Sequence, residues 1–275
     1  MAKRKKKNKK KKKNLKKRKK RFKKLRKKKT LSKKVKVYKK KLPKQFTDAD
    51  GNIVLKVPEN WAKQAYVNKA KYEKKYKQSI KNNDDFWRKE GKRINWIKPY
   101  SKIKDVKYSK EKVQIKWYYD GTLNASANCI DRHLDKKGNK TAIIWVGDDP
   151  KVQKKISYKQ LHQEVSKAAN GLKEIGVKKG DRVTIYLTMI PELAYTMLAC
   201  ARIGAVHSII FGGFSADSIS GRINDCKSDY VITADEGVRG GKIIDLKATV
   251  DEALLNCPNV KKCVVVKRTG NRINW

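Results

Sequence analysis

From residue 141 onward, short apolar runs alternate with longer segments in which apolar side chains recur every three or four positions. The runs predict buried strands and the longer segments predict amphipathic helices, because these are the repeats of the two structures. Strands are predicted at 142–146, 156–158, 183–187, 205–210, 230–234 and 262–266, and helices at 158–175, 191–203, 216–226 and 245–255. Strands that alternate with helices form a mainly parallel, helix-covered sheet, so the predicted fold class is α/β.

Local signals mark the ends of these helices. Ser157 and Gln160 have the spacing of a capping box, and Pro191 suits a first helical turn. Gly176 and Gly204 stand where a helix would end. Ser215 is expected to open the helix over 216–226.

The segment 57–135 is rich in aromatic and charged residues and is predicted to be largely helical. One irregular amphipathic helix is expected over 61–80, and we expect its aromatic side chains to serve as packing anchors rather than as a ligand site. These side chains are Trp61, Tyr66, Tyr72 and Tyr76. A second helix is indicated by the spacing of Ala127, Ile130 and Leu134. The chain thus divides into a tail (1–56), this segment (57–135) and the first part of an α/β domain (136–275).

Charge is concentrated at the beginning of the chain. The net charge is +46, and the first 44 residues contain 29 of the 72 basic residues and no acidic residue. Such a segment repels itself and cannot bury a core, so residues 1–56 are predicted to be a disordered tail. It could make nonspecific contact with RNA or DNA, it could be simply solvated, or it could reflect A-rich coding sequence or a misplaced start codon. The scarcity of aromatics (Phe22 and Tyr38) argues against base stacking.

The remaining chemistry-bearing residues do not form a catalytic or metal-binding set. The five cysteines include no CxxC pair and lie at no metal-ligand spacing from a histidine, so we expect reduced thiols in a cytoplasmic protein. No apolar run has the length of a signal peptide core or a membrane span. His133, His162 and His207 are not accompanied by a nucleophile or acid pair. We therefore assign no catalytic residue and no metal ligand, and expect no membrane contact.

Two glycine-containing loops follow predicted strands. Phe211, Gly212 and Gly213 lie between the strand at 205–210 and a helix, where backbone amides can approach an anion. Residues 239–242, Arg-Gly-Gly-Lys, follow the strand at 230–234 and combine two cations with two glycines. Tight turns or solvated loops would explain the same residues. Because both loops follow strands of a parallel sheet, we expect them at the same edge, where such folds bind ligands.

Several long blocks of this sequence resemble the acetyl-CoA synthetase family of AMP-forming acetate–CoA ligases, within the adenylate-forming superfamily. The resemblance extends from about residue 57 to residue 275. The main blocks are KWYYDGTLNASANCIDRHL (116–134), TAIIWVGDDP (141–150), KKGDRVTIYL (178–187), MLACARIGAVHSIIFGGFSADSISGRI (197–223) and ITADEGVRGGK (232–242).

This resemblance implies the adenylate-forming enzyme fold and the conversion of acetate, ATP and coenzyme A to acetyl-CoA, AMP and diphosphate through acetyl-adenylate. It also implies that Arg239, Gly240, Gly241 and Lys242 contact coenzyme A, with the two cations near its nucleotide phosphates. Phe211, Gly212 and Gly213 would line the same site near the adenine.

In this family the ATP-binding loop, the acid pocket and the C-terminal domain follow the matched region. We therefore expect an N-terminal portion that binds coenzyme A, has no site for acetate, ATP or Mg²⁺, and is inactive by itself. A ligase for another short acid, such as propionate, and a polyanion-binding protein acting through the tail are the alternatives. Acetate-dependent AMP release, and nucleic-acid binding at rising salt with and without residues 1–44, distinguish them.

Overall fold

The computed structural model describes residues 45–47 and 49–275. The described residues fall into two units, which divide between Lys74 and Lys75. The predicted polyanion contact of the basic tail falls on residues 1–44, which lie outside the described residues, so it stays a prediction.

The described part of the first unit contains a hairpin and a short helix. Strands β1 (Gln45–Thr47) and β2 (Ile53–Leu55) pair antiparallel, and α1 follows at Glu59–Gln64. The sequence predicted a disordered tail over residues 1–56, whereas residues 45–47 and 53–55 form the two strands of this hairpin. Its physical basis is the run of Ile53, Val54 and Leu55 after a turn in which Gly51 has φ +79°, since β-branched residues favour strands and glycine adopts positive φ freely.

The single helix predicted over 61–80 is two helices. Helix α1 ends at Gln64, where Ala65 becomes extended, and α2 spans Lys69–Lys81. The four aromatic side chains were expected to be packing anchors, which would be buried. This is wrong, because Trp61, Tyr66, Tyr72 and Tyr76 are all exposed. Neither helix buries a residue, so the spacing of their apolar residues predicted more packing than the structure shows.

The second unit begins with short helices and a hairpin held by aromatic contacts. Helix α3 (Asn83–Glu90) leads into a 3₁₀ turn (Gly91–Arg93), and β3 (Lys104–Tyr108) pairs antiparallel with β4 (Val113–Trp117). The rings of Trp96, Tyr100 and Tyr118 pack together, with centroids 4.6–5.5 Å apart. The helix predicted around Ile130 is broken into α4 (Ala125–Cys129), a 3₁₀ turn (Asp131–His133) and α5 (Leu134–Lys137).

A four-stranded parallel sheet forms the centre of this unit. Its strands, in spatial order, are β8 (Val206–Phe211), β7 (Arg182–Leu187), β9 (Tyr230–Ala234) and β12 (Lys262–Val266). The connecting helices are α7 (Pro191–Ile203), α8 (Ala216–Cys226) and α9 (Leu246–Leu254). Every residue of β9 and all but the first of β7 are buried, so both faces of the sheet are covered. This confirms the predicted α/β class.

Two hairpins lie outside the parallel sheet. Strands β5 (Thr141–Val146) and β6 (Gln153–Ser157) pair antiparallel, and helix α6 (Tyr158–Glu174) follows them. Strands β10 (Gly237–Arg239) and β11 (Lys242–Ile244) form the second hairpin, in a region where the sequence suggested only a loop. The apolar runs at 142–146 and 156–158 are thus strands, but they do not extend the parallel sheet.

The predicted helix ends are confirmed. Ser157 and Gln160 form a reciprocal capping box, and the Ser215 hydroxyl accepts from the Ser218 N–H. Pro191 is in the first turn of α7, and Gly204 ends that helix with φ +77°. These caps fix where each helix meets the sheet edge.

Candidate functional site

The strand order places a crevice at the carboxyl ends of β7 and β9. The chain passes from β7 outward to β8 and then returns past β7 to β9, so consecutive connections leave β7 in opposite directions. In open α/β sheets, ligands bind at such a reversal point. The two glycine loops follow β8 and β9, as the sequence predicted, and β7 lies between those strands.

Thr188, the residue after β7, lies between the two glycine loops. A Cβ atom added at Gly212 would lie 3.2 Å from its Cγ2, and one added at Gly237 would lie 2.5 Å from it. Glycine at these two positions therefore allows both loops to approach the end of β7 closely.

The loop after β8 is held by a buried tyrosine. Tyr186 of β7 donates its hydroxyl hydrogen to the Phe214 carbonyl and accepts from the Gly213 N–H, both at 3.1 Å. Burial raises the pKa of Tyr186, and the hydrogen bond from Gly213 opposes that rise. Gly213 has φ +134°, a conformation that favours glycine. Tyr186 thus fixes the loop that presents Phe211, a contribution that sequence analysis missed.

The Arg-Gly-Gly-Lys segment is the turn of the β10–β11 hairpin. Gly240 and Gly241 have φ +59° and +72°, which is the geometry of a two-residue type I′ turn. The turn places Arg239 directly opposite Lys242 in the register. Both side chains therefore project from the same face of the hairpin, and both residues are exposed. Like charges in this position repel unless an anion lies between them.

The two loops meet through Arg239 and Phe211. The guanidinium carbon of Arg239 lies 5.4 Å from the centroid of the Phe211 ring, within the range of a cation–π contact. Phe211 remains 57% exposed, so the pair presents aromatic surface and a cation to solvent.

A cavity of about 440 Å³ lies beside this pair. Of the predicted site residues, it is lined by Phe211, Gly212 and Arg239, whereas Gly213, Gly240, Gly241 and Lys242 do not line it. Its other walls include Trp145 of β5, Asp148, Met189 and Arg268, none of which the sequence analysis selected. Arg268 follows β12 at the same sheet edge, so strand order could have indicated it.

Arg268 is a second arginine of the cavity lining that lies over an aromatic ring. Its guanidinium carbon lies 5.1 Å from the Trp145 ring centroid. Among residues 45–47 and 49–275, no carboxylate forms an ion pair with either guanidinium. Two unneutralised planar cations beside aromatic rings suit a ligand with phosphate groups and a ring system.

Asp235 anchors the segment that carries Arg268. Its buried carboxylate accepts backbone N–H groups of Glu236, Arg268, Thr269 and Gly270 at 2.7–3.2 Å. Burial raises the pKa of Asp235, but these hydrogen bonds outweigh it, so the pKa lies below its ordinary value. Sequence analysis treated Asp235 only as part of a loop.

The histidines lie apart from this cavity. His162 contacts Asp131, with Nε2 3.5 Å from Oδ1, and Asp131 also pairs with Arg202. His207 is half-buried on β8. Within the described residues, no group of three or more histidine, cysteine or carboxylate side chains could hold a metal ion. The cavity lining offers one carboxylate, that of Asp148, beside the two cations Arg239 and Arg268, a donor set that does not suit Mg²⁺.

Comparison with known proteins gives consistent matches. Residues 130–274 match the family described as AMP-binding enzyme, and residues 72–129 match the acetyl-coenzyme A synthetase N-terminus. Acetyl-coenzyme A synthetase of Parvibaculum lavamentivorans is 60% identical over 220 residues, which cover 80% of this chain and 34% of that protein. The enzyme of the same name from Shewanella sediminis is 56% identical over 226 residues, covering 81% and 34%. The chain thus spans about a third of the length of these relatives.

A solved structure has the same fold. Acetoacetyl-CoA synthetase from Streptomyces lividans aligns with a TM-score of 0.65 at 24% identity, over 72% of this chain and 30% of that one. In the part of the chain that the structure describes, no helix is both long and apolar enough to cross a membrane.

Proposed function

This chain belongs to the AMP-binding enzyme family, and on that premise we propose that it is part of an AMP-forming acetate–CoA ligase. The proposed reaction joins acetate and ATP to acetyl-adenylate and diphosphate, and then transfers the acetyl group to coenzyme A with release of AMP. Mg²⁺ would accompany ATP at residues other than those of this site. The identity of 56–60% with proteins named acetyl-coenzyme A synthetase supports acetate as the acid. The proposed location is the cytoplasm.

The contribution of this chain is to bind the nucleotide end of coenzyme A. The observation that carries the proposal is the stacked pair of Arg239 and Phe211 at the rim of the cavity, 5.4 Å apart. An exposed ring edge can contact the adenine, and Arg239 with Lys242 can contact phosphate oxygens. A bound phosphate would also relieve the repulsion between these two cations, which lie directly opposite in the hairpin.

Coenzyme A titration with a matched pair of arginine variants tests this proposal. Arg222 is the control, because its guanidinium carbon lies 5.3 Å from the Phe214 ring and it is exposed like Arg239. We expect Arg239→Ala to weaken coenzyme A binding about tenfold, or about 1.4 kcal/mol, and Arg222→Ala to change it less than about twofold. Isothermal titration of the 275-residue chain measures both.

The basic tail is present in all three proteins, so nonspecific attraction of the ligand is the same in each. Equal losses in the two variants would show that bulk charge binds coenzyme A, and would contradict the proposal.

A further inference from the structure

Asp148 links the two hairpins at the cavity. It follows β5, in a turn closed by a hydrogen bond from the Gly147 N–H to the Val152 carbonyl at 2.8 Å. Its Oδ1 accepts the Gly240 N–H and its Oδ2 accepts the Gly241 N–H, both at 2.7 Å. One carboxylate therefore takes both amides at the turn of a hairpin more than 90 residues away in sequence.

These two amides form the kind of site in which an anion is bound. Successive N–H groups in a glycine turn converge on one point and carry partial positive charge. A carboxylate that accepts both makes two charge-assisted hydrogen bonds, which are short and strong. Since both amides donate to Asp148, they are not available to a phosphate group.

We infer that Asp148 is a positioning residue for the coenzyme A surface, and that side chains rather than glycine amides contact the phosphates. By holding Gly240 and Gly241, Asp148 fixes the adjacent Arg239 over Phe211. It also links the end of β5, the strand that carries Trp145 in the cavity lining, to the turn of the β10–β11 hairpin. The phosphate part of this inference rests on the proposed function, whereas the positioning part does not.

Positioning and simple electrostatics predict opposite results when the charge is removed. A carboxylate near a phosphate site repels the ligand, so electrostatics alone would make Asp148→Asn bind a nucleotide more tightly. If Asp148 holds the hairpin, the same variant binds less tightly, because the amide side chain offers one acceptor where two are used. Asp149→Asn is the matched control, since it removes the neighbouring charge. The contact of Asp149 is local, from the Lys151 N–H at 3.0 Å.

The first test compares two ligands on the full chain. Adenosine 3′,5′-bisphosphate is the nucleotide end of coenzyme A, and adenosine lacks the phosphates. We expect Asp148→Asn to weaken bisphosphate binding about tenfold while adenosine binding changes less than about twofold, and Asp149→Asn to bind both ligands at least as tightly as wild type. Bisphosphate binding by Asp148→Asn as tight as by Asp149→Asn would overturn the role of Asp148 in phosphate binding.

The second test needs no ligand. Hydrogen exchange of the Gly240 and Gly241 amides should be at least about tenfold faster in Asp148→Asn than in wild type, and unchanged in Asp149→Asn. Equal exchange in the two variants would overturn the positioning role. If wild type fails to bind the bisphosphate while exchange still responds to Asp148, the proposed function fails and the positioning role stands.

Discussion

The Arg239 guanidinium lies over the Phe211 ring, although Phe211 ends β8 of the parallel sheet and Arg239 ends β10, which lies outside that sheet. A different side chain holds each of these two residues in position. Tyr186 fixes the loop of Phe211, and Asp148 fixes the turn beside Arg239. The contact therefore depends on β7 and β8 of the parallel sheet together with β5 and β10 outside it.

Replacement of Phe211 by leucine is expected to weaken coenzyme A binding about fivefold. Leucine keeps an apolar side chain but lacks the ring face that aligns Arg239, and such contacts contribute about 1 kcal/mol. Phe86→Leu is the control, because Phe86 also lies beside a cation, with Lys75 Nζ 5.9 Å from its ring centroid, and does not line the cavity. Isothermal titration would contradict this expectation if both variants lost the same affinity.

Replacement of Gly237 by alanine is expected to destabilise the fold by about 1–3 kcal/mol. The new Cβ would lie 2.5 Å from the Thr188 Cγ2, which is closer than packed carbon atoms can approach. Thr188→Ser removes that methyl group, so the double variant should regain most of the lost free energy of unfolding. Urea denaturation of the single and double variants measures the coupling, and additive losses would show that the two residues do not clash.

Asp235→Asn is expected to lower the free energy of unfolding by about 2–4 kcal/mol at neutral pH, because the buried carboxylate accepts backbone hydrogen bonds. The folded-state pKa is below the unfolded value, so the stabilisation is fully present above about pH 4. It is lost as the pH falls through the folded-state pKa. Urea denaturation from pH 7 to pH 3 should therefore show the difference between wild type and variant shrinking in acid. A constant difference would contradict this assignment.

Native-state thiol labelling is expected to separate the cysteines by burial. All five are free, Cys129 is exposed, and Cys200 and Cys257 are buried. Burial raises the pKa of Cys200 to about 12, which leaves almost no reactive thiolate at neutral pH. A chromogenic disulfide reagent should modify Cys129 in the fastest phase, and Cys129→Ser should abolish that phase. Fast loss of Cys200 in the folded protein would contradict the described core.

Sequence predicted the parallel unit well because its signals are local. The runs at 183–187 and 230–234 are apolar except for one threonine each, and all their residues are buried, as expected of strands covered on both faces. The caps at Ser157 and Ser215 depend only on residues three positions away, and the Ser215 side chain accepts from the Ser218 N–H. Such patterns need no knowledge of distant contacts.

The site was only partly predictable, because its remaining members depend on contacts between distant segments. The sequence identified Phe211, Gly212 and Arg239, which line the cavity. It did not indicate Asp148, whose partners are 92 and 93 residues away. The β10–β11 hairpin was interpreted as a loop because its strands are three residues long, although paired glycines between short strands are a hairpin signal.

The separation in sequence between Asp148 and its partners also determines how long after Asp148 the ribosome makes those partners. At about 5–20 residues per second, Asp148 is made roughly 5–20 s before Gly240. During that interval the β5–β6 hairpin emerges without the turn that its carboxylate will hold, and Arg268 emerges later still. The β5 wall of the cavity is therefore made before the β10 wall, and the cavity lining is complete only after Arg268 has emerged.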